Sequence, residues 1–390
     1  MIILKGIFWI SFIIGLVIFI HELGHFLAAK LTGIKVEEFA LGYGKKIFSR
    51  KIGGTIYRIN MIPYGGYVKL LGEEKNSKDP QSFSQKGFWS KTLVLVAGVT
   101  MNFLLAAFTF YIILGFKNFE ILLPRYTDFS FLGAKTEVQN KPFVSEIIEN
   151  TPADDVNFPV NSLVWAVDDQ EIVGTNQFTQ YLQNHKGEQI KIKLMVLGTE
   201  WWQSGNWQEV YVTPNDTKEE GVLLGVKFEG SVASYYKLDY SNSKLLSGFI
   251  HSLNFSGYNM NVLGELVKIS FQEKSVKPVS EGVSGIVGLA NTTYDLVKVG
   301  DIFDILNLLG VVNISLAIMN LLPIPALDGG YLLILVIEKI TRKKVSEKFQ
   351  EWGVRIGFIS MIILGVLITV KDIIQFNIFE RIFTFIRNLF

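Results

Sequence analysis

The stretch IFWISFIIGLVIFIHELGHFLAA, residues 7–29, carries no ionisable side chain except His21, Glu22 and His25. Its length suits a helix that crosses a bilayer, which takes ~20 mostly apolar residues. On such a helix His21 and His25 lie four residues apart and project from one face. That spacing lets two imidazoles share a metal ion, with Glu22 beside them as a base for a water on that metal. In a soluble chain the pattern suggests a zinc hydrolase. Inside a membrane span it suggests hydrolysis within the bilayer, because ionisable groups there are costly and mark function. The competing reading is a cleaved signal peptide, with Lys5 before the apolar core and Ala28-Ala29 after it. A signal sequence has no use for two histidines and a glutamate in that core.

Composition narrows the chemistry. The chain has 390 residues, 49% of them hydrophobic, with four histidines and no cysteine. Disulfides, thiolate zinc sites and cysteine nucleophiles are therefore excluded, and any metal must be held by histidine and carboxylate. A net charge of +1, with no basic helix or aromatic RNA-binding signature, speaks against nucleic acid as a partner. His185 falls in a polar stretch and His251 on an amphipathic segment, so both are expected at the surface.

Three further segments approach span length, at 92–116, 302–322 and 356–370, and residues 329–338 form a shorter apolar stretch. Residues 30–91 contain twelve Lys or Arg against five acids, and Arg342, Lys343, Lys344 and Lys348 make the link before the last span basic. The positive-inside rule puts 30–91 and 341–350 in the cytoplasm, with the N-terminus and 117–300 outside. Within the outer segment the short runs FVSEII, SLVWAV, IKIKLMVL, EVYVTP and GVLLGVKF alternate with turn-formers, and NQFTQYLQNH offers one helix, the pattern of a small mixed β domain. Trp201, Trp202 and Trp207 read either as hairpin packing or as a belt at the membrane interface.

The expected fold class is a polytopic α-helical membrane protein of about four transmembrane helices with an extracytoplasmic β domain. Residues 1–30 form the first span and 31–91 a cytoplasmic-side loop. The second span takes 92–116, a linker 117–134, the β domain 135–230 and an interfacial amphipathic helix region 231–300. The third membrane segment covers 301–340, a basic loop 341–352, the fourth helix 353–372 and a C-terminal tail 373–390.

A catalytic zinc usually takes three protein ligands and keeps one position open. Asp328, in NLLPIPALDGG at 320–330, is the candidate third ligand. Read by itself, Asp-Gly-Gly is a turn that ends a span. The two prolines before it point instead to a broken helix, tolerated at membrane depth only where it lines protein or a wet cavity.

These motifs together resemble the site-2 protease family of intramembrane metalloproteases, and within it the bacterial regulator of sigma-E protease (RseP) branch. HELGH at 21–25 and NLLPIPALDGG at 320–330 are similar to that family's paired motifs. MIPYGGYVKLLGE (61–73) resembles its membrane-associated β-hairpin, GVTMNF (98–103) its second-span motif and VSGIVGLA (283–290) its S-G-P-x-G-I-A segment. Val99 and Ile286 stand where the family has proline. The β domain is similar to a single PDZ module, with Asn161-Ser162 in place of the usual Gly-Asp.

The resemblance implies that His21, His25 and Asp328 hold Zn²⁺ and that Glu22 moves protons as general base and acid. It also implies that Asn320, Pro323, Pro325 and Asn102, with Gly65, Gly66, Tyr67 and Val68 of the hairpin, bind an unwound substrate. The hairpin's alternative role is packing beneath the catalytic helices. His₂Asp ligation by itself suits several divalent metals. The implied protein is a multi-pass zinc endopeptidase of the bacterial inner membrane, with its N-terminus and PDZ-like domain outside the cytoplasm. It cuts single-span membrane proteins that have already lost their outer domain, of the anti-sigma factor or remnant signal peptide class. The PDZ-like groove is a candidate site for a peptide or chain end. The rival readings are a non-catalytic PDZ-containing membrane adaptor and a soluble-type zincin tethered by one span.

Overall fold

The computed structural model describes residues 2–73, 77–197, 206–215, 223–228, 233–299, 302–376 and 387. The chain divides into two compact units, one formed by Met1–Tyr111 with Gly248–Phe390 and the other by Ile112–Ser247.

The first unit begins with α1 (Ile2–Leu31), which contains the whole of the 7–29 stretch. Strands β1 (Val36–Ile52) and β2 (Thr55–Leu70) follow and pair antiparallel with several register shifts. Phe39 faces both Val68 and Tyr57, and Ala40 faces both Tyr67 and Arg58, so the start of β1 lies between the two halves of β2. The expected hairpin at 61–73 is therefore the second half of β2 and an edge of this sheet. Ala28, Ala29, Ile34, Val36, Leu70 and Val94 form a buried cluster that joins the end of α1 to the sheet and to α2 (Phe88–Phe116).

In the second unit the elements run β3 (Glu120–Pro124), β4 (Lys135–Lys141), β5 (Phe143–Ile147), a short α3 (Pro152–Asp155), β6 (Ser162–Val167) and β7 (Gln170–Glu171). Helix α4 (Thr175–Asn184) precedes β8 (Ile190–Val196), β9 (Asn206–Val212), β10 (Val226–Phe228) and β11 (Ala233–Asp239). One sheet has the order β10-β5-β6-β8-β9, with β7 paired to β6, and a second has the order β3-β11-β4. Alternating apolar residues of the first sheet, among them Val164, Ile192 and Val212, pack with Phe178 and Leu182 of α4 in one core. The five expected β runs and the expected helix all fall on elements of this sheet and its cover.

The boundaries differ from the expected 135–230. The supposed linker 117–134 contains β3, and the supposed interfacial region 231–300 opens with β11, which pairs with both β3 and β4. The reason is that Leu123, Tyr236 and Leu238 are buried between these strands, a pairing across more than 100 residues that no local pattern reveals. Burial also pushes the Tyr235 phenol up to about 12. Lys141 ties β4 to the first sheet: its ammonium donates to Glu171 (2.7 Å) and to the Ile172 carbonyl (3.0 Å) and lies over the Trp165 ring. Trp207 meets Trp165 edge-on at 5.2 Å, the hairpin-packing reading. Trp201 and Trp202 lie outside the described residues.

The chain returns to the first unit through α5 (Ser247–Glu273), α6 (Lys277–Glu281), α7 (Ile286–Val299), α8 (Ile302–Leu321), α9 (Asp328–Thr341) and α10 (Glu347–Gln375). Among the described residues, four helices are long and apolar enough to cross a membrane: Leu4–Leu31, Phe88–Phe116, Ile302–Leu321 and Lys348–Gln375. They match the four expected segments. Along α10 the apolar side chains from Ile356 to Val370 are largely exposed, as suits a helix whose solvent is lipid.

His251 is a correction. It was expected at an interfacial surface, yet it is fully buried, edge-on to Phe110 at 4.8 Å. The cause is a close crossing of α5 over α2 at Gly248, where a Cβ would stand 2.1 Å from the Ala107 carbonyl oxygen. His185, by contrast, stacks on Tyr181 of its own helix.

The start of α7 is held from α10. Asp372, fully buried, accepts hydrogen bonds from the Gly285 and Gly288 amides (2.9 and 2.8 Å). Lys371 beside it donates to the Val283 carbonyl (2.7 Å) and pairs with the same carboxylate. This is the VSGIVGLA segment, and its amides at a helix N-terminus favour an anion. Replacing Asp372 by Ala removes charge-assisted bonds worth about 1.5–3 kcal/mol each. Amide hydrogen exchange at 285–290 should accelerate roughly tenfold or more, with little change at the α4 amides.

Candidate active site

Three side chains from the two ends of the first unit's sequence converge. His21 and His25 come from the C-terminal half of α1, and Asp328 is the first residue of α9. His21 Nε2 lies 3.1 Å from His25 Nε2. Asp328 Oδ2 lies 3.2 Å from the first and 3.4 Å from the second. Among the described residues, this is the one group of three or more His, Cys, Asp or Glu close enough to hold a metal ion.

The donor set fits zinc. Ligand atoms ~2.0–2.2 Å from a tetrahedral zinc stand about 3.4 Å apart, which the observed triangle matches. His25 Nδ1 lies 2.8 Å from the Val94 carbonyl oxygen, an atom that can only accept, so Nδ1 carries the proton. In the neutral ring Nε2 then offers a lone pair, directed at a carboxylate oxygen that is buried and has no hydrogen-bond partner. Two lone pairs facing each other in a buried site are unfavourable unless a cation lies between them. The Val94 carbonyl also orients the imidazole from behind, as outer partners of metal-binding histidines do.

Helix packing explains why the glycines stand where they do. A Cβ on Gly24 would stand 2.4 Å from the Ala97 carbonyl oxygen, and one on Gly98 would stand 2.5 Å from His25 Nε2. Small residues let α1 and α2 touch, and the contact delivers the α2 backbone to His25. Asn102, one helical turn beyond Gly98, is fully buried with its amide nitrogen 3.4 Å from His21 Nδ1. Expected to bind substrate, Asn102 stands beside the His21 ring.

The break between α8 and α9 sets the aspartate. Ile324 and Leu327 close tight turns, with Ile324 N–H donating to the Leu322 carbonyl and Leu327 N–H to the Ile324 carbonyl. Ala326 adopts a φ of 81°, a left-handed conformation that costs a residue with a Cβ and clusters at functional sites. Pro323 and Pro325, also expected to bind substrate, border this break and are exposed. Pro325 has a second neighbour in α10, where a Cβ on Gly357 would stand 2.0 Å from its carbonyl oxygen. Asn320, at the end of α8, brings its side-chain nitrogen 3.4 Å from His21 Nε2.

The β2 edge approaches the same point. A Cβ on Gly66 would stand 3.2 Å from Glu22 Cγ and 3.0 Å from the Ala40 carbonyl oxygen. The Tyr43 hydroxyl donates to the Gly66 carbonyl at 2.9 Å, and its ring stacks on Tyr67. Gly65, Gly66, Tyr67 and Val68 thus run past Glu22. Two contributors escaped the sequence reading. Gly98 stood inside a quoted motif whose asparagine drew attention instead, and the Val94 carbonyl is a backbone group with no residue signature.

Fold and site define a membrane-embedded metallohydrolase: four apolar helices, one of them carrying HExxH, and a distant aspartate brought to it. Residues 9–364 match the model of peptidase family M50, and the chain belongs to that family, the site-2 proteases. It is 31% identical to a Clostridium acetobutylicum protein named as a zinc metalloprotease, over 92% of this chain and 95% of that one. A Fusobacterium nucleatum protein of the same description is 31% identical over 92% of this chain and 96% of its own. The zinc metalloprotease RasP of Geobacillus kaustophilus is 24% identical over 94% of this chain and 98% of its own. The protein is a multi-pass membrane zinc metalloprotease of the site-2 type.

Because a Cβ at position 98 would collide with His25 Nε2, Gly98→Ala should lower zinc affinity roughly 10–100-fold. Metal analysis of the detergent-purified variant against a chelator series measures this. Unchanged affinity would contradict the packing argument.

Proposed function

We propose that the protein cleaves single-span membrane proteins within their transmembrane segment after their outer domain has been removed. Anti-sigma factors and remnant signal peptides are the substrate classes the resemblance suggests. The observation that carries this reading is the convergence of His21, His25 and Asp328 among apolar helices, with Glu22 beside them turned to the edge of β2.

In this reading His21, His25 and Asp328 hold zinc. Bound zinc supplies Lewis acidity for the attacking water and for the scissile carbonyl. Glu22 accepts the water's proton and later gives it to the leaving nitrogen. A helical substrate hides its carbonyls in i→i−4 hydrogen bonds and must be unwound before attack. Residues Gly65–Val68 form an edge with no further strand among the described residues, suited to accept an extended segment as an added strand. The Asn320 amide holds the opened backbone next to His21.

The cationic 30–91 segment faces the cytoplasm of a bacterial inner membrane by the positive-inside rule. The second unit is then a PDZ-like module outside the cytoplasm, which screens substrates or takes up a chain end. Because every catalytic position is filled, the adaptor reading has no observation in its favour.

The test is purified protein with a single-span model substrate beside Glu22→Gln. The variant should keep stoichiometric zinc and lose about 10²–10⁴-fold in cleavage rate. Wild type without zinc, or a variant that cuts equally well, ends the protease reading. For orientation, a single cysteine placed by Lys45→Cys, on an exposed part of β1, should react with an impermeant reagent only after the cytoplasmic face is opened.

A further inference from the structure

The ends of α2 and α9 farthest from Asp328 and Asn102 enclose a cleft of about 230 Å³ lined by Lys91, Lys339, Arg342, Lys343 and Lys344. That volume is far above the ~10–15 Å³ one water requires. Glu338 is the single acid in the lining, and its carboxylate is engaged by the Val345 amide at 2.9 Å. None of the five cations forms a salt bridge among the described residues. Lys339 lies over the Phe88 ring at 5.6 Å, which bridges the two helices. Arg342 ends α9 with a φ of 55°, a conformation that helices usually assign to glycine or asparagine at this place.

What surrounds the cleft identifies its ligand. Phe88 opens one candidate span and Lys348 opens another, so the cations lie where helices enter the membrane. Trp89 is 77% exposed beside Phe88, and Phe349 and Trp352 at the start of α10 are 69% and 64% exposed. Exposed aromatics at helix ends sit at headgroup level. Concentrated positive charge framed by such residues suits the phosphate of a lipid, since basic pockets between spans bind anionic headgroups.

We infer that this cleft binds the headgroup of an anionic phospholipid, which clamps the start of α2 to the end of α9. Those helices carry the Val94 carbonyl and Asp328 respectively, so the bound lipid ties together two sides of the metal site. The site is independent of what the enzyme cleaves.

The experiment titrates short-chain phosphatidylglycerol, phosphatidylcholine or inorganic phosphate into the zinc-loaded full chain in neutral detergent and follows Tm. Phosphatidylglycerol should raise Tm at concentrations roughly tenfold or more below those at which phosphatidylcholine acts. The combined variant Lys339→Gln, Arg342→Gln, Lys343→Gln, Lys344→Gln should lose this selectivity while retaining zinc. Lys45→Gln, Lys46→Gln, Lys51→Gln, which removes equally exposed cations from β1, should preserve it. Equal effects of the two lipids, or selectivity retained in the first variant, would overturn the inference. Loss of selectivity in the β1 variant would equally overturn it, by showing a general charge effect. An equal shift with inorganic phosphate would replace the lipid with a soluble anion. Failure of the cleavage assay would leave these readouts untouched.

Discussion

Two imidazoles and a carboxylate that meet at one point among apolar helices need positive charge between them, a metal ion or a shared proton, and other groups to hold each one from behind. The rest of the membrane unit is organised around that constraint. His25 is held by the Val94 carbonyl, His21 is backed by Asn102, and Asp328 is set by a helix start that follows two tight turns. Both histidine supports come from α2, a different helix from the α1 residues they hold. The site therefore exists only when α1, α2 and α9 are packed together.

Close packing makes this possible. Gly24 and Gly98 let the α1 and α2 backbones approach until a ring on one helix reaches a carbonyl on the other. Without a hydrophobic drive between helices in lipid, such contacts and the hydrogen bonds they allow hold the bundle together. The same device recurs at Gly248 against Ala107, which buries His251, and at Gly357 against Pro325, which braces the break before Asp328. Irregular backbone at that break is tolerable because the Ile324 and Leu327 amides turn back onto nearby carbonyls.

Much of this was legible in the sequence. A 3.6-residue period places His21 and His25 on one face whatever the tertiary structure, and an uninterrupted apolar stretch of ~20 residues reads as a span because the bilayer fixes the length. Proline pairs announce a broken helix for equally local reasons. The β runs at 143–148, 162–167 and 190–197 were visible through alternation. Strand β11 was not assigned to the same unit, because its partners β3 and β4 lie about 100 residues away and pairing leaves no mark in a local window. His251 was misplaced for a related reason: its helix looks half polar, and only the α2 contact shows which half is covered.

The residue types of the active centre, its location in an apolar helix and the number of spans were therefore determined by the sequence alone, since each follows from periodicity, length or side-chain chemistry within a short window. Tertiary structure alone decided that Asp328 reaches within 3.4 Å of both histidines, that Asn102 of α2 reaches the His21 ring, and that Gly66 of β2 abuts Glu22. These depend on helix crossings and sheet edges between segments as much as 300 residues apart, which the chain specifies only once all its apolar faces are packed at the same time.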